Sequence, residues 1–285
     1  MYDTLLTVYS AIKSSRPAPT PTLTHVIPSL GRGGVCAVTS LGDDVFLVRD
    51  NSPLVEVYDV VTLTFQRYIT VDRIGYPRGL VACRNNNCLY ASDFNSNIHR
   101  VELSGSNAVK EWHVGVQPTG LSVNIAHNLV VACYEANKLQ EYTTHGSFVR
   151  EICLQSGVNH PYHAIQLSTG DYVVSQFTLP SGVVGVVGVD GQVIHRCGYG
   201  QSRLSNVCPT SLAVTKNDDI LVADQLYNRI LSINRSMGCV QELAVSVDGG
   251  IQEPRGLCLD ESRGRLYVGE CGEQCQVLVF DGVRF

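Results

Sequence analysis

Residues 220–233, ILVADQLYNRILSI, consist of two short apolar segments separated by a polar segment with an aspartate, an asparagine and an arginine. Short apolar segments bounded by turn-forming residues are typical of buried strands. The polar residues between them favour a tight turn. The stretch therefore predicts two antiparallel strands joined by a turn, and the rest of the chain shows whether this unit is repeated.

The same pattern returns along most of the chain, which indicates a repeat protein. Five copies begin at marker prolines, which are Pro77, Pro118, Pro161, Pro209 and Pro254. Their spacing of 41 to 48 residues matches one four-stranded propeller blade. A sixth, weaker copy at residues 33–60 lacks the proline. We therefore predict an all-β, six-bladed β-propeller over residues 22–285, in which neighbouring blades bury each other's faces.

The two ends of the chain predict how the ring closes. The sixth copy reaches only its third strand at residues 276–281, whereas residues 22–30 resemble a strand that belongs to no copy. We predict that this segment supplies the outer strand of the last blade, because closure protects strand edges that open sheets expose. Residues 1–21 have apolar residues at near-helical spacing followed by a proline-rich linker, and we predict an N-terminal extension there.

Composition limits the functions that the chain can have. The 285 residues are 44% hydrophobic and 16% charged, with a formal net charge of −5. This balance does not favour a surface for phosphate backbones, which relies on clustered lysine and arginine. Without a membrane-length apolar run or a secretory signal, we expect a soluble, cytoplasmic protein. The eleven cysteines lie mostly in apolar runs, and we expect them to be reduced.

The copies resemble NHL repeats, whose consensus runs Pro-x-Gly-apolar, then a strand, then Val-Ala-Asp-x-x-Asn-x-Arg-apolar. The fifth copy matches this best, with Val222, Ala223, Asp224, Asn228 and Ile230. It departs in that Arg229 directly follows the asparagine. The fourth copy departs further, since Ser175 and Gln176 replace Ala-Asp, and the first copy lacks the proline. The resemblance covers nearly the whole chain from about residue 22.

The aspartate at the end of the second strand indicates a scaffold role. Asp224 can accept hydrogen bonds from turn N–H groups and can pair with Arg229 in the same turn. A catalytic group would not be expected to recur in several blades. We therefore predict that this pair stabilises the turn.

Two pairs of cysteines flank predicted turns. Cys83 and Cys88 would face each other across a hairpin, and Cys271 and Cys275 flank a turn at the opposite end of a sheet. The pairs would lie on opposite faces of the disc and could not share a zinc ion. Each pair could form a disulfide if oxidised. Without a secretion signal, free thiols are the favoured prediction.

The sequence shows no catalytic constellation. It contains no nucleophile elbow, no dinucleotide-binding glycine motif and no phosphate-binding loop. His160 and His163 lie close together in the sequence, but the corresponding stretches of the other copies contain no histidine that would complete a metal site. We therefore expect no catalytic residue, no metal, no cofactor and no enzymatic activity.

The residue after each marker proline begins the innermost strand and should border the central opening. We predict a partner-binding rim made of Arg32, Arg78, Thr119, Tyr162, His163, Thr210 and Arg255. The three arginines would come from neighbouring blades and could together bind a carboxylate or phosphate. Alternatively, acidic residues of the same loops neutralise them; these are Glu253, Asp72 and Asp248.

The resemblance to NHL repeats implies a function in recognition. Similar propellers often follow RING, B-box and coiled-coil segments in tripartite-motif ubiquitin ligases, where they select the substrate. We therefore expect a scaffold that binds a protein or peptide on the face of the proline loops, without a RING of its own. Two alternatives stay open: an RNA-binding NHL domain, which the mixed loop charges disfavour, and a metal-dependent lyase or hydrolase acting in the central channel.

Overall fold

Six four-stranded antiparallel sheets form a ring, which confirms the predicted all-β, six-bladed propeller. The computed structural model describes residues 21–31, 33–105, 107–179, 182–198, 206–245 and 247–283. The predicted N-terminal extension, apart from its last residue, lies outside these ranges, and so does Arg32. Helix in the described ranges is limited to one 3₁₀ turn at Gln225–Tyr227, and nothing there could span a membrane as a helix.

The strands of each blade are given in order from the innermost strand to the outermost one. Blade 1 contains β2 (Val35–Leu41), β3 (Asp44–Arg49), β4 (Leu54–Asp59) and β5 (Phe65–Thr70). Blade 2 contains β6 (Pro77–Cys83), β7 (Cys88–Asp93), β8 (Asn97–Glu102) and β9 (Val109–His113). Blade 3 contains β10 (Pro118–Val123), β11 (Leu129–Cys133), β12 (Lys138–Tyr142) and β13 (Phe148–Cys153).

The second half of the ring repeats this order. Blade 4 contains β14 (Pro161–Gln166), β15 (Tyr172–Gln176), β16 (Val183–Val187) and β17 (Val193–Gly198). Blade 5 contains β18 (Pro209–Val214), β19 (Ile220–Asp224), β20 (Arg229–Ile233) and β21 (Val240–Glu242). Blade 6 contains β22 (Pro254–Asp260), β23 (Arg265–Glu270), β24 (Val277–Asp281) and, as its outermost strand, β1 (Thr22–Ile27).

The pairing of β1 with β24 closes the ring as predicted. The two strands run antiparallel, with Ile27 opposite Val277. The Ile27 side chain is fully buried in a cluster that also contains Leu47 of blade 1 and Tyr267 of blade 6. The first strand therefore holds together the two blades at which the ring would otherwise open.

The core lies between blades. Six clusters of buried apolar residues occur in the described part of the chain, and each combines residues of two adjacent blades. The second strands supply much of this core: every residue of β7, β11 and β19 is buried. Because a single sheet cannot cover both its faces, the ring is the unit that buries the apolar surface.

The Pro-x-Gly motif follows from crowding at the axis. Each marker proline starts an innermost strand and is followed by a β-bulge, as between Pro77 and Gly79. A Cβ atom on Gly79 would lie 2.6 Å from the Thr119 carbonyl oxygen, and one on Gly120 would lie 2.6 Å from that of Tyr162. Glycine at these positions lets the backbones of neighbouring innermost strands approach each other.

Candidate functional site

A central cavity of about 220 Å³ lies between the innermost strands, all six of which contribute to its wall. We call the end where loops lead into these strands the proline face, and the opposite end the hairpin face. Four of the predicted rim residues line the cavity: Arg78, Tyr162, His163 and Arg255. Their environments differ, and this difference decides what each can bind.

Arg255 is bound within the protein. Its Nη1 atom lies 3.2 and 3.1 Å from the two carboxylate oxygens of Asp50, and its Nε atom donates a hydrogen bond to the Tyr162 hydroxyl at 2.9 Å. The side chain is only 11% exposed. Burial lowers the pKa of this guanidinium, but the surrounding Tyr162, Cys36, Cys271 and Asp50 outweigh it and raise the pKa. The neutralising acid is Asp50 of blade 1, whereas the sequence suggested acids of the proline loops.

Arg78 has a different environment. Its guanidinium carbon lies 5.2 Å from the centre of the Phe94 ring, a cation–π contact. Among the described residues no carboxylate lies within ion-pair distance of it. Arg78 is therefore a half-buried cation at the cavity mouth whose charge is not balanced by the residues around it.

A cysteine takes the corresponding place in blade 1. The bulge between Val35 and Ala37 puts Cys36 at the position that Arg78 and Arg255 occupy in their blades. The Cys36 thiol lies 3.0 Å from an Asp50 carboxylate oxygen, to which it donates. Burial raises the pKa of this thiol well above its usual value. The two predicted arginines within the described ranges thus line one cavity, and of these two Arg78 has no ion-pair partner there.

The two rim threonines join neighbouring blades. Thr119 donates to the carbonyl oxygens of Ala132 and Pro161, both at 3.1 Å. Thr210 makes the equivalent contacts with Ala223 and Pro254, at 3.2 and 3.3 Å. Both side chains are buried and neither lines the cavity. Their hydroxyls therefore contribute to the contact between blades.

His163 stands where three other blades have the glycine of Pro-x-Gly. Its Nδ1 atom accepts the backbone N–H of Leu212 in blade 5 at 3.0 Å, and its Nε2 atom lies 3.0 Å from the Leu121 carbonyl oxygen in blade 3. These partners require the neutral ring with its proton on Nε2. Burial lowers the pKa of His163 to about 4. The ring is therefore neutral at physiological pH and connects three blades.

The scaffold role predicted for Asp224 is confirmed. One carboxylate oxygen accepts the backbone N–H of Cys208 at 2.7 Å, and the other accepts Arg229 Nε at 2.8 Å. The same position binds a loop N–H in three further blades, through Asp93, Gln176 and Glu270. The recurring polar residue fixes the loop that leads into the innermost strand.

All eleven cysteines are free thiols. Cys83 and Cys88 lie directly opposite each other in the pairing of β6 with β7. Cys271 and Cys275 flank a turn on the proline face, and the Cys271 sulfur lies 3.8 Å from Arg255 Nη1. Within the described ranges no three histidine, cysteine or acidic side chains form a cluster suited to a metal. Mass spectrometry without reductant tests the expectation that both pairs stay reduced.

The proline face also carries aromatic side chains, of which only Tyr162 was predicted from the sequence. We call Phe94, Tyr134, Tyr162, Phe177 and Tyr227 the aromatic arc. Phe94, Tyr134 and Phe177 directly follow the second strands of blades 2 to 4, a repeated signal that could have been found in the sequence. Tyr162 packs against Phe177 with ring centres 5.7 Å apart, and the Tyr134 hydroxyl donates to the Phe177 carbonyl oxygen at 3.3 Å. The arc spans blades 2 to 5.

The two faces differ in their exposed apolar side chains. On the proline face, Phe94 is 47% and Tyr227 is 38% exposed. On the hairpin face, the large exposed apolar residues of the described loops are aliphatic: Val61, Ile125 and Val189. Among the described loops, those of the proline face thus carry the exposed Phe and Tyr rings.

Comparisons with known proteins support the fold. No family profile and no curated protein matches the chain. It is similar to a streptogramin B lyase, at 14% identity and a TM-score of 0.66, over 94% of this chain and 99% of that chain. A catalytically inactive virginiamycin B lyase from Staphylococcus aureus with quinupristin has 14% identity and a TM-score of 0.64, with coverage of 89% and 82%. Hydrazine synthase of Kuenenia stuttgartiensis has 14% identity and a TM-score of 0.64, with coverage of 90% and 97%. At this identity the likeness shows the propeller fold alone.

Proposed function

We propose that this propeller is a recognition module whose proline face binds a protein or peptide partner. The aromatic arc carries the proposal, because aromatic and arginine side chains dominate the binding energy of protein interfaces. Phe94 and Tyr227 are exposed, and each lies beneath an arginine guanidinium, of Arg78 and Arg229 respectively. A surface on a closed ring is also rigid, so little entropy is lost when a partner binds.

The finer part of the proposal concerns the biological setting. The Pro-x-Gly starts of three blades and the polar residue that ends the second strand and binds a loop N–H in four blades support an NHL-type propeller. By that resemblance the chain acts as a cytoplasmic substrate-recognition module for protein ubiquitination. It has no enzymatic activity of its own in this proposal. Its captured partners should then include proteins that are modified with ubiquitin.

The test compares matched substitutions on the two faces. Proteins cross-linked to the wild type in cell extract are quantified beside those cross-linked to a Phe94→Ala, Tyr227→Ala double variant and a Val61→Ala, Ile125→Ala double variant. All four side chains are exposed, so the fold should tolerate both changes. We expect the first variant to lose specific partners about tenfold and the second to keep them. Equal retention by both variants would refute binding on the proline face.

The alternatives receive less support from the geometry. Binding of an RNA hairpin requires several free cations, and Arg255 is neutralised by Asp50. A lyase acting in the cavity needs a group that exchanges protons near neutral pH. His163, the histidine among the described cavity-lining residues, has both ring nitrogens bound to the backbone. A mobility shift with hairpin RNA at low salt and elemental analysis for metal test the two alternatives.

A further inference from the structure

We propose that the mouth of the central cavity on the proline face binds a carboxylate. At this mouth the cavity wall has the Tyr162 hydroxyl and one positive charge without a counter-charge, and a second hydroxyl without a partner lies deeper in the cavity. A site with this imbalance is complementary to an anion.

The positive charge belongs to Arg78. It is half-buried, so part of the hydration that would otherwise stabilise the cation is removed. Arg255 and Asp50 form an ion pair and cancel each other, and no aspartate or glutamate is among the described residues that line the cavity. Among the described residues that line the cavity, Arg78 therefore carries the one charge without an ion-pair partner.

The neutral donors are the hydroxyls of Tyr162 and Ser122. The Tyr162 oxygen accepts a hydrogen bond from Arg255 Nε. The proton of the Tyr162 hydroxyl has no acceptor among the described residues. Donation from a guanidinium to this oxygen strengthens the hydroxyl as a donor. Further along the wall, Ser122 is 5% exposed and its hydroxyl has no hydrogen-bond partner in the described structure. A buried polar group without a partner is costly unless a ligand or water satisfies it.

The side-chain acceptors of Asp50 and His163, both near the mouth, already receive hydrogen bonds. Asp50 accepts from Arg255 and from the Cys36 thiol. In His163 the ring nitrogen that can accept a hydrogen bond is Nδ1, and it already accepts the Leu212 N–H. A cationic or purely donating ligand would therefore find few partners here, whereas an anion would find several.

One net positive charge favours a monoanion. A planar carboxylate matches a guanidinium with two parallel hydrogen bonds. A phosphate dianion would leave one negative charge uncompensated in a partly dehydrated site. The cavity of about 220 Å³ has room for a short acidic side chain or a small acid.

The carboxylate could come from two sources. One is an acidic side chain of a bound peptide, and this source rests on the proposed function. The other is a free organic acid, which does not depend on peptide binding. The chemistry of the site is the same for both, so the experiment has one arm for each.

The first arm uses saturation-transfer NMR with N-acetylglutamic acid α-amide at millimolar concentration. Its neutral isostere, N-acetylglutamine α-amide, is measured beside it, and inorganic phosphate is tested as a competitor that displaces the acid. The Arg78→Gln variant is compared with Arg84→Gln, a matched control because Arg84 is exposed on the hairpin face and lacks an acidic partner in the described residues. We expect the acid to bind the wild type at least about tenfold more tightly than the amide, and Arg78→Gln to lose about tenfold. The control should bind like the wild type.

Several results would overturn the carboxylate site. These are equal binding of acid and amide, tighter binding of phosphate, no saturation transfer from the acid, or an Arg78→Gln variant that binds like the wild type. Tyr162→Phe provides a second variant if Arg78→Gln unfolds, as judged by its melting temperature. It keeps the ring against Phe177 and removes the donor, so binding of the acid should fall several-fold.

The second arm identifies the source with random linear peptides displayed on phage. If the wild type selects peptides with a fixed acidic position and Arg78→Gln loses that preference, the source is a peptide. Selection of peptides without an acidic position assigns the site to a free acid, provided that the first arm succeeds. If the wild type selects no peptide while the small acid binds, the proposed function fails and the carboxylate site stands.

Discussion

At the scale of single residues, His163 shows how one side chain joins several blades and responds to pH. Both ring nitrogens are used by backbone groups of the neighbouring blades. A protonated ring would lose its acceptor for the Leu212 N–H and would place a charge in a buried position. The neutral state is therefore part of the folded structure.

This predicts a contribution to acid sensitivity. The pKa of His163 is about 4 in the folded protein and about 6.5 in the unfolded chain. As the pH falls below 6.5 the unfolded chain takes up the proton first, so the free energy of unfolding decreases by up to about 1.4 kcal/mol per pH unit until about pH 4. His163→Gln should show a shallower decrease between pH 7 and 5 in urea unfolding. An unchanged slope in the variant would contradict this account.

A second prediction concerns the crowding of the innermost strands. A Cβ atom on Gly120 would lie 2.7 Å from His163 Cδ2 and 2.6 Å from the Tyr162 carbonyl oxygen. Because backbone cannot move aside easily, Gly120→Ala should lower the free energy of unfolding by about 1–3 kcal/mol. Gly238→Ala is the matched control, since its Cβ would meet only the Ser236 hydroxyl at 3.4 Å. Urea unfolding that gives equal stability for both variants would refute the crowding.

At the scale of elements, closure of the ring depends on β1. Thr24 and Val279 are 255 residues apart in sequence and are in hydrogen-bond contact. Without β1, the last blade would have three strands, and the edge of β24 and part of the core around Ile27 would face water.

The prediction is that deleting residues 1–28 lowers the melting temperature by more than about 10 °C. A peptide of residues 21–30 added in trans should restore part of the loss, because it supplies the missing strand. The same peptide with Ile27→Asp should not restore it, because that side chain is fully buried. A truncated chain that melts like the full chain would show that β1 does not hold the ring closed.

The sequence predicted correctly those features that depend on residues close to each other in the chain. The marker prolines predicted five blades because each starts an innermost strand, and Asp224 and Arg229 lie in one turn. The pair of Arg255 with Asp50 could not be predicted in this way, because the two residues are 205 positions apart and meet only where the ring closes. Likewise, without a proline in the first copy, nothing indicated that Cys36 takes the position of the rim arginines.

At the scale of the whole molecule, the core between blades predicts a radial gradient of stability. All residues of β7 are buried, whereas the outermost strand of the same blade, β9, is mostly exposed. Since neighbouring blades share each cluster, local unfolding should begin at the outermost strands, at the outer edge of the disc. Hydrogen exchange should be at least about tenfold slower in second strands than in outermost strands, in every blade. Exchange rates that differ from blade to blade, but not between the second and the outermost strands of one blade, would contradict this radial gradient.

Finally, the six copies are not equivalent around the axis, and this has a consequence for any bound molecule. A central cavity with six identical walls would bind a molecule equally well in six orientations, related by rotation from one blade to the next. Here the His163 imidazole of blade 4 lines one sector of the cavity, whereas blades 2, 3 and 6 have a glycine at the corresponding position. The bridge from Arg255 to Asp50 and Tyr162 blocks a second sector. Because the walls differ between blades, we expect one angular orientation of a bound molecule to be favoured over the others.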